Sequence, residues 1–315
     1  VRPCPVERWA YDVAIPLERH STNALVVLQH DLPTEVVIDL ATGLGAAWTA
    51  LGRSAGATQL LDRLRPLAEQ TDGLRRAKFL LSYVTSIPSF ALRAMHYAGL
   101  EEMLQPARAV GEIDPDCRAL AELAIGLGCR GQVAEARALL DQLEPAAEAA
   151  PHPWTRVQHR TFVALGDALM GDVVRAAHRV AELAHDFDSI GAHDSATSNR
   201  FIAGTLLRRV GDLAGAERVL RQIPLQDSGD IDGYSTAGAA YELAAIARLT
   251  DRADALSLLV RACELLDRFG EHRNAGIARR DLAGALVDQG DLDAAERELQ
   301  RCIPVLLLAD RQGAA

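Results

Sequence analysis

The sequence predicts an all-α chain: a superhelical array of about seven helical hairpins, an α-solenoid with a period of about 40 residues. Three observations predict it. Ala, Leu and Arg dominate the 315 residues, while Phe, Tyr and Trp number six, five and three, which favours helices over a β-sandwich or barrel. A polar turn recurs as Arg130-Gly131-Gln132, Met170-Gly171-Asp172, Val210-Gly211-Asp212, Thr250-Asp251-Arg252 and Gln289-Gly290-Asp291, at spacings of 40, 40, 40 and 39. Small residues keep fixed offsets from that turn. Five beyond it stand Ala136, Ala176, Ala216 and Ala295, with Ala255 four beyond Asp251. Seven before it stand Ala124, Ala164, Gly204, Ala244 and Ala283.

Each turn is therefore preceded by one amphipathic helix and followed by another, and the small residues mark where the two cross closely. Pro145, Pro224 and Pro304, 13 or 14 residues past their turns, are expected to end the second helix, because proline has no N–H to donate. The other two units break at His185-Asp186-Phe187-Asp188 through Gly191 and at Phe269-Gly270-Glu271. Toward the amino terminus the pattern degenerates. Leu51-Gly52-Arg53 keeps it, with Ala57 beyond and Leu44-Gly45 before, and a turn at Pro88-Ser89 with Ala94 fills the remaining gap. Five hairpins are clear and two inferred. We divide the chain into a helical junction segment, residues 1–35, and a repeat domain, residues 36–315.

The turn glycine, the alanine five later, the small residue seven earlier and the proline further on together resemble a tetratricopeptide-like (TPR-like) helical hairpin, in a unit longer than the usual 34 residues. Long units of this kind look like the helical arrays of bacterial signal-transduction ATPases, the MalT and AfsR type of transcriptional regulator. The stretch Glu18-Arg19-His20-Ser21-Thr22-Asn23-Ala24-Leu25, followed by Asp39-Leu40-Ala41, Trp48, Leu51-Gly52-Arg53 and Leu60-Leu61, is similar to the segment linking their winged helix to their repeats. The resemblance implies a non-enzymatic sensor or interaction domain that receives a protein, peptide or small-molecule effector and relays it to an adjoining ATPase. A stand-alone TPR adaptor is the alternative. No Gly-x-x-x-x-Gly-Lys-Ser/Thr occurs in the chain, so nucleotide chemistry is expected outside this segment.

Residues at equal offsets on the first helices form ladders along the inner, concave wall of such an array. Ten residues before the turn the ladder reads Ala121, Thr161, Phe201, Tyr241 and Arg280; three before it, Gly128, Ala168, Arg208, Arg248 and Val287. The candidate partner- or effector-binding residues are accordingly Phe201, Arg208, Arg209, Tyr241, Arg248 and Arg280, a basic and aromatic stretch in a chain of net charge -10. Guanidinium groups bind carboxylate or phosphate bidentately, and aromatic rings add contact area at little entropic cost. Glu242, Asp281 and Asp288 lie close enough in sequence to pair with these arginines instead.

Other constellations yield to plainer readings. Gly126-Leu127-Gly128-Cys129-Arg130-Gly131 matches the dinucleotide-binding pattern but follows a helical run rather than a strand. His178 with His185, and His152 with His159, are seven apart, a rise of about 10.5 Å, too wide for shared zinc. Asp186 with Asp188, and Asp230 with Asp232, read as solvated loop charges. The five cysteines contain no CxxC; Cys263 and Cys302 occupy equivalent core positions in adjacent units, too distant for a disulfide. No catalytic residue, metal or cofactor is expected. The acidic balance gives no field for nucleic acid, and no run is long enough to span a membrane. A cytoplasmic location is expected, and Val1-Arg2-Pro3-Cys4-Pro5, with neither Met nor signal peptide, is expected to begin inside a longer protein.

Overall fold

Thirteen α-helices and no strand occupy the described part of the computed structural model, which comprises residues 32–50, 54–86, 118–150, 153–225, 233–268 and 272–313. The helices are α1 (Thr34–Ala50), α2 (Ser54–Ala68), α3 (Gly73–Ser86), α4 (Arg118–Cys129), α5 (Val133–Ala149), α6 (Pro153–Leu169), α7 (Val173–Ser189), α8 (His193–Arg209), α9 (Leu213–Leu220), α10 (Gly233–Leu249), α11 (Ala255–Arg268), α12 (His272–Asp288) and α13 (Leu292–Gly313). Six hairpins pair α1 with α2, α4 with α5, α6 with α7, α8 with α9, α10 with α11 and α12 with α13. This is TPR-like helical-hairpin architecture.

The recurring turn has one construction throughout. Gly131, Gly171, Gly211 and Gly290 have φ between 78° and 102°, and Asp251 has φ 50°, so each places a left-handed residue just past a helix. The next residue then donates its N–H back five residues, as in Gln132 to Leu127 (2.9 Å), Asp172 to Asp167 (3.1 Å), Asp212 to Leu207 (3.0 Å), Arg252 to Ala247 (2.8 Å) and Asp291 to Leu286 (3.0 Å). These are Schellman closures, which satisfy carbonyls that the helix end orphans. In three turns the same residue caps the following helix: Asp172 accepts from the N–H of Arg175, Asp212 from Gly215 and Asp291 from Ala294. A Gly-Asp pair thus ends one helix and starts the next, which explains why it marks the repeat.

Burial follows the predicted register. Ala136, Ala176, Ala216 and Ala295 are buried, as are Ala124, Ala164, Ala244 and Ala283 on the facing helices. Gly204 is smaller still because a Cβ there would run into the side chain of Leu220 across the α8–α9 crossing.

The chain divides into two compact units, Val1–Ala196 and Thr197–Ala315. In the first, α3 packs on α1 and α2, α5 on α6, and α4 on α6, around Ile38, Leu61, Phe79, Ile125, Leu140, Leu143 and Phe162. In the second, successive helices from α9 to α13 pack in order, with Leu259, Leu265, Leu266 and Leu282 interleaved with Ala237, Ala244, Ala275 and Ala278.

Two expectations about helix ends are corrected. Pro145 and Pro304 lie inside α5 and α13 rather than ending them. Tertiary contacts carry both helices onward: Ala150 is buried and its carbonyl accepts from Arg156 Nη1 at 2.8 Å, while Val305 and Leu306 pack over Gly276 of α12. Only Pro224 follows a helix that has stopped, the eight-residue α9. His185 to Asp188 are helical, and the break falls at Gly191, φ 77°, with Ala192 donating to Phe187 at 2.9 Å. Helices therefore start every 20 residues from Val133 to Gly233, and one repeat contains two such turns. The turns at Leu51-Gly52-Arg53, Pro88-Ser89 and Phe269-Gly270-Glu271, with Ala94, His152, Asp230 and Asp232, lie outside the described residues. So does the proposed junction segment as far as residue 31.

Candidate functional site

The second unit contains a cleft of about 630 Å³ between α10, the turn after it, and α12, with Arg208 of α8 at its edge. Its α10 side presents Tyr241, Ala245, Arg248 and Leu249; its α12 side presents Asp281, Ala285, Asp288 and Gln289. Each residue of the second set stands 40 positions after its counterpart in the first. Asp251, Arg252, Leu256 and Leu259 close the floor and end.

Three of the six candidate residues, Arg208, Tyr241 and Arg248, line this cleft. Arg208 donates from Nε to the buried carboxylate of Glu242, and this hydrogen bond raises its pKa above the usual arginine value. The Tyr241 hydroxyl donates to Asp281 Oδ2 at 2.6 Å; burial, and then that carboxylate, push the phenol's pKa well up. Arg248 crosses the cleft, its Nη2 lying 3.6 Å from Asp288 Oδ2 and its Nη1 donating to the Asp281 carbonyl at 3.4 Å.

The other three candidates point elsewhere. Phe201 packs edge-on against Tyr234 at 5.9 Å between centroids, and lies over Gly238, where an added Cβ would meet its ring at 2.5 Å. Arg209 is exposed at the end of α8. Arg280 is exposed and grips Asp281 Oδ1 through Nε and Nη2, at 2.9 and 2.7 Å, from outside the cleft. For Arg280 the reason is a one-residue slip. The turn-to-turn spacing from Asp251 to Gly290 is 39, but facing residues on α10 and α12 pair at 40, so Asp281 and Asp288 occupy the rows that turn counting gives to Arg280 and Val287. The wall is charged on both sides, and Glu242, Asp281 and Asp288 all take up arginines.

A second polar centre, in the first unit, has no signal in the ladders. Asp167 of α6 is buried, and three arginines converge on it: Arg137 of α5 at 3.0 Å, and Arg175 and Arg179 of α7 at 3.6 and 3.5 Å. A lone apolar-face Asp surrounded in sequence by Leu and Ala was the available sign. It joins three helices and has the geometry of a structural clasp.

Cys263 and Cys302 are buried free thiols, and burial pushes the Cys263 pKa up to about 12. His178 and His185 are exposed, whereas His159 is buried. Gly126 and Gly128 lie within α4, so the glycine-rich pattern there is helix and Schellman turn rather than a phosphate loop. Among the described residues no group of three His, Cys, Asp or Glu is placed to hold a metal ion, and no helix is long and apolar enough to cross a membrane.

No protein-family model matches the chain, and no curated protein matches it. Solved structures do resemble it. The complex of NprR with its cognate peptide NprX superposes with a TM-score of 0.56 at 11% identity, over 98% of this chain and 91% of that one. A Rap protein complexed with Competence and Sporulation Factor gives 0.55 at 14%, over 87% and 77%. The apo form of RapI gives 0.53 at 11%, over 87% and 99%. At these identities the likeness is one of fold, that of a TPR-like helical solenoid.

Proposed function

We propose that the chain is a non-enzymatic sensor domain whose second unit receives a peptide or an extended protein segment in the α10–α12 cleft. The observation that carries this reading is the cleft itself: about 630 Å³, with an apolar floor of Leu256 and Leu259 and polar walls of Arg208, Tyr241, Arg248, Asp281 and Asp288. A few convergent polar groups around an apolar base are what a binding site for a short ligand requires. The peptide bound to NprR in a similar fold supports the reading. Arg209, Phe201 and Arg280 then act at the margin, Phe201 by supporting α10 and Arg280 by orienting Asp281.

The resemblance to the MalT and AfsR type supplies the rest: a cytoplasmic regulator in which occupancy of this domain is relayed, through a junction in residues 1–35, to an adjoining ATPase. Reading the parent protein on the amino-terminal side of Val1 tests that relay. A phosphate-binding loop and a winged helix there are expected; a complete adaptor without them refutes the relay. The cleft is tested by affinity selection from a random octapeptide library. Ala245→Trp, which fills the cleft, should abolish retention while Arg297→Ala, on the exposed face of α13, leaves it intact. Equal retention by both variants would place binding elsewhere.

A further inference from the structure

The cleft-lining ionised side chains are three arginines, Arg208, Arg248 and Arg252, and three aspartates, Asp251, Asp281 and Asp288. Most are already neutralised from behind. Arg208 is held by Glu242, and Arg252 by Glu217 and Asp254, none of which lines the cleft. Asp281 is held by Tyr241 and, from outside, by Arg280. What remains facing the cleft is the Arg248–Asp288 pair and Asp251, whose carboxylate makes no ion pair among the described residues.

That remaining pair is the loosest of the set. Its atoms are 3.6 Å apart, and its side chains are 39% and 72% exposed, so solvent screens it and little holds it closed. Its polarity is fixed, however. Arg248 shares its side with Arg208, and Asp288 shares its side with Asp281, so the cleft has a positive wall on α8–α10 and a negative wall on α12, with Asp251 and Arg252 together at its end.

We infer that this cleft selects a dipolar segment: a peptide bearing both an acidic and a basic side chain, which exchanges the Arg248–Asp288 pair for two intermolecular ones. The ligand carboxylate takes the Arg248 guanidinium bidentately, and its ammonium or guanidinium takes Asp288, with Asp251 adding negative potential. A uniformly anionic ligand, which the basic ladder alone would call for, meets Asp288 and Asp251 unneutralised and is disfavoured by like charge. The inference rests on the peptide-binding reading above and narrows it.

The same octapeptide selection tests it, with the retained pool sequenced by mass spectrometry. The unmodified chain should retain peptides carrying both Lys or Arg and Asp or Glu at least tenfold over all-acidic or all-basic ones at 50 mM NaCl. Asp288→Asn should shift the retained pool toward acidic peptides, and Arg248→Gln toward basic ones. The exchange Arg248→Asp with Asp288→Arg, which keeps the pair and the net charge, should restore the preference for dipolar peptides that each single variant loses, because the reversed pair takes the same ligand in the opposite sense. A retained pool that is purely acidic, or whose charge is indifferent to both single variants, overturns the inference. If that indifferent pool is still lost on Ala245→Trp, the peptide-binding cleft stands and only its dipolar character falls. If the unmodified chain retains no peptide, both fall.

Discussion

Replacing Asp167 by Asn removes one charge from the clasp that joins α5, α6 and α7, and changes nothing else in size. The unscreened attraction between charges 3.0–3.6 Å apart is about 5 kcal/mol per pair at an effective dielectric constant of about 20. The arginines are 44%, 64% and 36% exposed, however, so each retains only about 0.2–1 kcal/mol after screening. The charged hydrogen bond from Arg137 adds about 1.5–3 kcal/mol, because the Asp167 carboxylate is buried. Asn keeps a neutral acceptor for Arg137, so Asp167→Asn should cost about 2 kcal/mol and Asp167→Ala about 3–4 kcal/mol. Trp154 stands on α6, the helix that carries Asp167, so urea unfolding followed by tryptophan fluorescence reads the loss of this part of the chain. The penalty for Asp167→Asn should shrink on going from 50 mM to 1 M NaCl, since the exposed guanidinium groups are accessible to screening. A loss below about 0.5 kcal/mol, or one independent of salt, would refute the argument that the arginines act on Asp167 electrostatically.

Ala216→Leu inserts three carbons into the closed α8–α9 crossing and should cost about 1–3 kcal/mol, read as a lower urea midpoint for loss of helical circular dichroism; an unchanged midpoint would show that the crossing has slack. Cys263 is held as the neutral thiol, its pKa raised from 9.0 to about 12 by burial, so the folded state keeps a proton that the unfolded state loses. Its contribution is present below pH 9 and disappears as the pH rises toward 12, so Cys263→Ser should flatten that part of the alkaline unfolding profile, and iodoacetamide at pH 8 should label Cys263 only after unfolding.

The hairpins were legible because their punctuation is local chemistry. A left-handed terminus needs Gly, or an Asp that tolerates φ 50° at position 251, and the following helix needs an oxygen at its N-cap, so Gly171-Asp172, Gly211-Asp212 and Gly290-Asp291 announce themselves without any tertiary information. The crossings were legible for a similar reason, since a small residue is required wherever two helix axes approach. Pro145 and Pro304 misled because their effect is decided elsewhere. Proline removes one hydrogen bond, but Val305 and Leu306 seated on Gly276, and Arg160 gripping Glu148 at 2.7 and 3.0 Å, continue the helices on the far side. Gly191 was read only as part of a broader break, although it repeats the Schellman geometry of the other turns half a period away.

The cleft was only half legible, and the missing half turns on a single residue. On an α-helix one position is about 100° of rotation, so counting from the turn or from the facing helix decides which wall a side chain occupies. The count from Gly290 gave Arg280 and Val287; the side-chain contacts across the cleft, Tyr241 with Asp281 and Arg248 with Asp288, fall one residue later. Turn spacing records where helices end, whereas the identity of a wall depends on how their sides mesh. Ala237, Ala244, Ala275 and Ala278 share one buried core with Leu259, Leu265 and Leu266 of α11, and across the cleft the Tyr241 hydroxyl meets Asp281 rather than Arg280. Matching Tyr241 to Asp281, rather than the turn residue Asp251 to Gly290, sets acid opposite base in this cleft, and a dipolar rather than an anionic ligand follows from that one change of register.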